Sequence, residues 1–161
     1  MSIEIGAHIP DVQLMAVTNE GPKEVSTKEI FAGKTVVLFA VPGAFTPTCH
    51  LNHLPGYLHN YEALKAKGVD EIAVVAVNDA FVMGAWAKDT DGLGKLTFLA
   101  DGNGDFAKAM GLELDGSGFG MGLRSQRYAL IAKDGVISAL KIEASPGVAE
   151  SSTAEAILEA L

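Results

Sequence analysis

Two short, unbroken apolar runs constrain this chain more than any other feature. Lys34-Thr-Val-Val-Leu-Phe-Ala-Val41 stops at Pro42-Gly43, and Glu71-Ile-Ala-Val-Val-Ala-Val77 follows further on. Neither alternates apolar with polar residues, so each reads as a strand covered on both faces. Neither approaches the about 20 residues that a bilayer-spanning helix needs. Between them Leu51, Leu54, Leu58, Tyr61 and Leu64 recur at three- and four-residue spacing. That spacing predicts an amphipathic helix, ended by Lys65-Ala-Lys67-Gly68 and kinked or broken early by Pro55-Gly56. Strand, helix and strand at this length make a βαβ unit, whose crossover is expected to be right-handed.

The remainder extends that unit. Residues 80–88 form a second amphipathic stretch, followed by a short strand over 96–100 and a short helix over 105–110. Arg127-Tyr-Ala-Leu-Ile-Ala132 and Val136-Ile-Ser-Ala-Leu-Lys-Ile142 flank Lys133-Asp134-Gly135, and Asp-Gly between apolar runs signals a hairpin. Residues 151–161 close the chain as a helix capped at or near Ser152. The expected fold is α/β and thioredoxin-like, a central mixed sheet flanked by helices with an N-terminal strand extension. No linker or repeat divides residues 1–161, so one domain is expected.

Charge narrows the partners. Lys and Arg number 12 against 20 Asp and Glu, a net charge of −8, which argues against nucleic acid and against anionic membrane surfaces. The N-terminus has neither a basic segment nor an apolar one of the secretory kind, so a cytoplasmic location is expected. There is one cysteine, Cys49. It can form no internal disulfide, and by default a lone cysteine is a small buried hydrophobe.

Position gives Cys49 another reading. The chain leaves its strongest strand through Pro42-Gly-Ala-Phe-Thr-Pro-Thr-Cys49 and enters a helix, and in open α/β sheets ligands gather where strands end. Unpaired N–H groups and the dipole of a helix start favour an anion, hence a thiolate. Thr46 stands where a dithiol motif would place a second cysteine, so dithiol exchange within the motif is impossible. Its hydroxyl either serves a ligand beside the sulfur or merely caps the helix. Pro42 and Pro47 stiffen the loop and shield the sulfur, or are ordinary turn residues.

Other signals are weaker. Cys49, His50, His53 and His59 share one stretch, but a metal needs three or four convergent ligands, so no metal is expected and His53 is read as supporting the loop. Asp101-Gly-Asn-Gly-Asp105 resembles the start of a calcium loop, yet Phe106 and Leu112 stand where Gly and Glu are required. The glycine-rich stretch 115–122 lacks the lysine of a phosphate loop and is read as a mobile loop. Its Phe119 and Met121 either wall a site for an organic substrate or pack at a subunit contact. Trp86 is read as core.

Val41-Pro-Gly-Ala-Phe-Thr-Pro-Thr-Cys49 resembles the active-site loop of the peroxiredoxins. With His53-Leu-Pro-Gly56, Val77-Asn-Asp-Ala-Phe-Val82, Gly84-Ala-Trp86, Leu99-Ala-Asp101 and Arg127-Tyr128, it is similar to the peroxiredoxin 5 (type II) subfamily over nearly the whole chain. The resemblance implies reduction of hydrogen peroxide and organic hydroperoxides by Cys49 through a sulfenic acid, without a cofactor. Thr46 would hold the peroxide, Pro42 would shield the sulfur, and the helix-start N–H groups of Thr48 and Cys49 would receive the leaving oxygen, with Gly43 alongside. Arg124 and Arg127 compete to stabilise the thiolate. On one strand they would face opposite ways, and the family pattern of Arg opening an aromatic-apolar strand selects Arg127. Arg124 and Phe119 are then expected to border the substrate.

The subfamily usually dimerises through its active-site face, here residues 42–48, 79–84 and 115–122, with Phe45 and Phe119 exposed. Many relatives carry a second cysteine near the C-terminus; here Glu143-Ala-Ser-Pro-Gly-Val-Ala-Glu-Ser-Ser-Thr153 has none. A one-cysteine enzyme recycled by an external thiol, glutathione with glutaredoxin or thioredoxin, is therefore expected. The competing readings are a non-catalytic thioredoxin-like binding module with a structural Cys49, and a cysteine hydrolase. The hydrolase would need a histidine base, and His50 and His53 lie poorly for it on the sulfur's own helix.

Overall fold

The computed structural model describes residues 2–161. Seven strands form one mixed sheet: β1 (Gln13–Thr18), β2 (Gly21–Ser26), β3 (Thr35–Val41), β4 (Glu71–Ala76), β5 (Thr97–Ala100), β8 (Tyr128–Lys133) and β9 (Val136–Ile142). A separate two-stranded ribbon pairs β6 (Glu113–Asp115) with β7 (Leu123–Ser125). The sheet runs β2-β1-β5-β4-β3-β8-β9. β3 and β4 lie parallel at its centre, β5 continues parallel, and β8 joins β3 antiparallel. The two runs that dominate the sequence are thus its buried middle.

Sheet period sorts their side chains. Val37, Phe39 and Val41 face one layer with Cys49, Tyr57, Leu64, Trp86 and Ile157, while Val36, Leu38 and Ala40 face Phe31, Phe106 and Met110 on the other. Helices α2 (Leu54–His59), α3 (Tyr61–Ala66), α4 (Ala80–Asp89) and α6 (Ala154–Ala160) cover the first face; α1 (Thr27–Phe31) and α5 (Asp105–Met110) cover the second. Each fully buried large side chain contributes about 1.5–3 kcal/mol. The predicted hairpin forms, with Asp134 at φ 50° and Gly135 at φ 78°, the doubly left-handed turn that Asp-Gly suits. Trp86 is core, edge-on to Phe98. The Asp101 carboxylate accepts from the N–H groups of Phe106 and Ala107 and so caps α5.

The helix after β3 departs from the sequence reading. Cys49–His53 form one π turn, with the N–H of Leu54 reaching back to the carbonyl of Cys49. Pro55 has no N–H, and its ring would strike the carbonyl one regular turn back, so the widened turn accommodates it. A second interruption falls at Asn60, whose side chain donates to Gly56 O and divides α2 from α3. Leu51, predicted on the apolar stripe, is 68% exposed because the π turn rotates it outward; His53 and Tyr57 are buried instead. The final helix is capped by Thr153, next to the predicted Ser152.

Candidate active site

Residues 42–46 carry the chain from the end of β3 to the helix, and the turn is held from several sides. Asn78, just beyond β4, accepts the N–H of Ala44 at 2.9 Å. The Thr46 hydroxyl donates to Gly43 O at 2.7 Å, and no helix N–H among the hydrogen bonds of the described residues donates to it, so its lone pairs stay free to accept. Phe45 sits at φ 65°, a left-handed conformation costly for a bulky residue, and is 45% exposed. A Cβ on Gly43 would lie 2.9 Å from Arg124 Nη1 and 3.2 Å from Thr46 Cγ2, so a larger residue would displace the end of Arg124 and crowd Thr46.

Cys49 is fully buried in the first turn beyond this loop. Arg127, at the entrance to β8, reaches it with Nη2 2.9 Å from Sγ. The same guanidinium donates from Nε and Nη2 to Pro146 O, both at 3.1 Å, and from Nη1 to His53 Nδ1 at 2.8 Å. Arg127 is itself 2% exposed, and none of these partners is a carboxylate. A buried guanidinium strongly favours a nearby anion, and the group in contact able to become one is the Cys49 sulfur.

His53 Nδ1 accepts from Arg127, so its proton lies on Nε2, which donates to Ser152 O at 2.9 Å. Burial, with the neighbouring Arg127 charge, lowers its pKa from 6.5 to about 4. At neutral pH the ring is uncharged. Because the unfolded histidine takes up its proton first as pH falls, stability is full above pH 6.5 and is lost towards pH 4, by about 3 kcal/mol. Urea unfolding at pH 7 and pH 4.5 is expected to show this loss, and His53→Gln is expected to flatten it. An equal slope in that variant would contradict the neutral ring.

The segment after β9 completes the site with main-chain oxygens. Pro146 O meets Arg127, Gly147 O accepts the Thr48 hydroxyl at 3.1 Å, and Ser152 O receives both His53 Nε2 and the Tyr57 hydroxyl, the latter at 2.7 Å. Tyr57 in turn stacks on Phe39 at 4.0 Å, tying the network to β3. An open cavity of about 320 Å³ adjoins, bordered by Pro42, Thr46, Thr48, Phe119, Met121 and Arg127. Arg127 both lines it and touches the sulfur.

Of the residues singled out in the sequence, Cys49, Thr46, Pro42, Thr48 and Arg127 converge here. Gly43 lies beside them under Arg124. Phe119 is 84% exposed at the cavity rim. The two arginines are not on one strand: Arg124 belongs to β7 in the small ribbon, with Nε on Met121 O at 3.0 Å and Nη1 3.4 Å from Pro42 O. It buttresses the loop from outside, and its hydrogen bonds do not include the sulfur. His50 points the other way, accepting from Trp86 Nε1 at 3.0 Å. No group of three metal-ligating side chains occurs among the described residues. Neither His50 nor His53 bonds the sulfur, so the pairing a cysteine hydrolase requires is missing from the hydrogen bonds of Cys49. Sequence reasoning missed Asn78 and the main-chain oxygens of Pro146 and Ser152; Asn78 stood within a quoted motif, whereas the carbonyls of Pro146 and Ser152 carry no side-chain signal.

Residues 4–158 match the Redoxin family. The chain is 49% identical over 160 residues to Peroxiredoxin-2C of Oryza sativa subsp. japonica, covering 99% of this chain and 98% of that one. Among solved structures it is similar to reduced Prx3 in complex with H2O2 from Vibrio vulnificus, with a TM-score of 0.93, 54% identity and 98% of each chain covered. It is also similar to peroxiredoxin 5 from Alvinella pompejana, with a TM-score of 0.87, 38% identity, and 98% and 97% of the two chains covered. With this thioredoxin-like sheet and the loop from Pro42 to Cys49, the chain belongs to the Redoxin family and is a peroxiredoxin.

Proposed function

We propose that this peroxiredoxin, a thiol-dependent peroxidase, reduces hydrogen peroxide and organic hydroperoxides by direct attack of the Cys49 thiolate on the O–O bond. The observation that carries the reading is the buried Arg127 guanidinium, 2.9 Å from the sulfur and without a carboxylate among its hydrogen-bond partners. The sulfur bonds to one peroxide oxygen and the O–O bond breaks. The other oxygen leaves as hydroxide or alkoxide and takes a proton, and Cys49 becomes a sulfenic acid. Negative charge moves from sulfur to the leaving oxygen, so donors fixed along that line lower the barrier. Arg127 has one Nη1 N–H beyond those bonded to protein, and the N–H groups of Thr48 and Cys49 lie in a first helical turn. Thr46, whose hydroxyl hydrogen is committed to Gly43, accepts the peroxide O–H and aligns the molecule. Pro42 screens the sulfur from water, and Gly43 leaves room for Thr46 and Arg124. Phe119 and Met121 offer an apolar wall to an organic hydroperoxide.

The deciding experiment is the loss of free thiol after mixing with hydrogen peroxide at neutral pH. The folded protein is expected to react orders of magnitude faster than the same chain in denaturant. Equal rates would favour a non-catalytic thioredoxin-like module in which Cys49 is only structural.

The sulfenic acid is returned to thiol by an external thiol, glutathione with glutaredoxin or thioredoxin, and a lone free cysteine suits a reducing compartment such as the cytoplasm. No helix among the described residues is long and apolar enough to cross a membrane. Phe45, Phe81 and Phe119 are 45%, 78% and 84% exposed, Phe81 in the first turn of α4 and the other two in the flanking loops, on the segments expected to meet in a homodimer. Sedimentation is expected to give a dimer at micromolar concentration, and a monomer throughout would remove that reading.

A further inference from the structure

We propose that Glu143 is a positioning residue for the peroxide reaction: its buried carboxylate gathers the segment 143–152 so that the segment's carbonyls hold Arg127 and His53 in place. The inference rests on the reading of Cys49 and Arg127 given above. Glu143 follows β9, and its N–H donates to Arg127 O at 3.0 Å, which registers it against the arginine's own backbone. Its Oε2 accepts from Glu150 N at 2.9 Å, Ser152 N at 2.7 Å and Ser152 Oγ at 2.6 Å; its Oε1 accepts from Ser151 Oγ at 3.1 Å. One carboxylate therefore closes the whole loop.

That loop sends no charged side chain to the sulfur. It supplies Pro146 O to two donors of Arg127 and Ser152 O to His53 Nε2. The first contact aims the guanidinium, and the second fixes the histidine tautomer whose Nδ1 takes another Arg127 donor. Burial alone would raise the Glu143 pKa, but the hydrogen bonds from Ser152, Ser151 and Glu150 outweigh it and keep the group below the usual carboxylate range. A four-donor cradle for one carboxylate, at a place where no cation meets it, is more than a loop closure needs.

The test is Glu143→Gln in the full chain, which keeps shape but cannot accept all four donors through both ends. Its reaction with hydrogen peroxide is expected to slow roughly 10- to 100-fold through misplacement of Arg127. The midpoint of its pH–rate profile is expected to rise, since a loosened guanidinium supports the thiolate less. Mere loss of a nearby negative charge would move that midpoint down. Arg127 is the charged group bonded to the sulfur, and His53 and Glu143 are the titratable groups behind it. Asp101→Asn is the control: it removes a comparable buried capping carboxylate on the other face of the sheet, and should lower stability with rate and midpoint unchanged. A parental rate, or a slower rate with an unchanged or lowered midpoint, overturns the assignment of Glu143. If Glu143→Gln does not fold, the double variant Ser151→Ala, Ser152→Ala removes two of the hydrogen bonds and is judged by the same criteria. A parent protein that itself reacts no faster than its unfolded chain would instead count against the underlying reading of Cys49.

Discussion

Arg127→Gln is expected to lower the second-order rate of reaction with hydrogen peroxide by about 10²- to 10³-fold, equivalent to about 2.7–4 kcal/mol of transition-state stabilisation. The guanidinium touches the sulfur at rest, and in the proposed mechanism the same group would also meet the charge leaving it. Glutamine offers a neutral donor of shorter reach, and it restores neither the charge nor the fork that meets Pro146 O, His53 and Cys49 together. Thr46→Val should fall by a smaller factor, about 10- to 100-fold, because it removes an acceptor but leaves the charge. Arg124→Gln should stay within about tenfold of the parent, since that arginine bonds the carbonyls of Met121 and Pro42. Stopped-flow measurement over the three variants separates the roles. Arg124→Gln losing as much as Arg127→Gln would exchange them.

Without added thiol, peroxide consumption is expected to end with the oxidation of Cys49 itself, one equivalent giving the sulfenic acid and at most two more its overoxidised forms, with no further turnover. Cys49 is the sole cysteine, so its sulfenic acid has no partner within the chain. The segment that follows β9 presents carbonyls and serines to the site, and Ser151 and Ser152 both donate to Glu143. Serine forms no disulfide. Intact mass after one equivalent should rise by one oxygen, and excess peroxide should add a second or third. Glutathione supplied first should condense with the sulfenic acid, releasing water and leaving a mixed disulfide. A second thiol should then reduce that disulfide, being oxidised itself, and restore Cys49. Because Cys49 is fully buried, a link between two Cys49 sulfurs should be a minor product on non-reducing gels. Sustained turnover in the absence of any thiol would refute the one-cysteine cycle.

Much of this protein is written locally. The continuous apolar runs of β3 and β4 have no polar face to show to water, so they had to become the sheet's centre with helices on both sides. The Asp-Gly hairpin and the strand-to-helix loop ending at Cys49 are equally legible, because turn chemistry and helix starts depend on neighbours in sequence. The π turn was half legible: Pro55 announced an irregularity, but only packing decided that Leu51 turns outward while His53 and Tyr57 turn in.

What the sequence could not decide is which groups meet the sulfur. Arg127 and Cys49 are 78 residues apart, and Ser152 and His53 are 99 apart. Residue types alone left Arg124 and Arg127 open as competitors; the fold separated them by putting one in a small ribbon and the other at the mouth of β8. The carbonyls of Pro146 and Ser152 are present on any residue, so no side chain advertises them. A hydrogen bond acts over about 3 Å, and which atoms come within that distance is set by how sheet, helix and closing loop pack together.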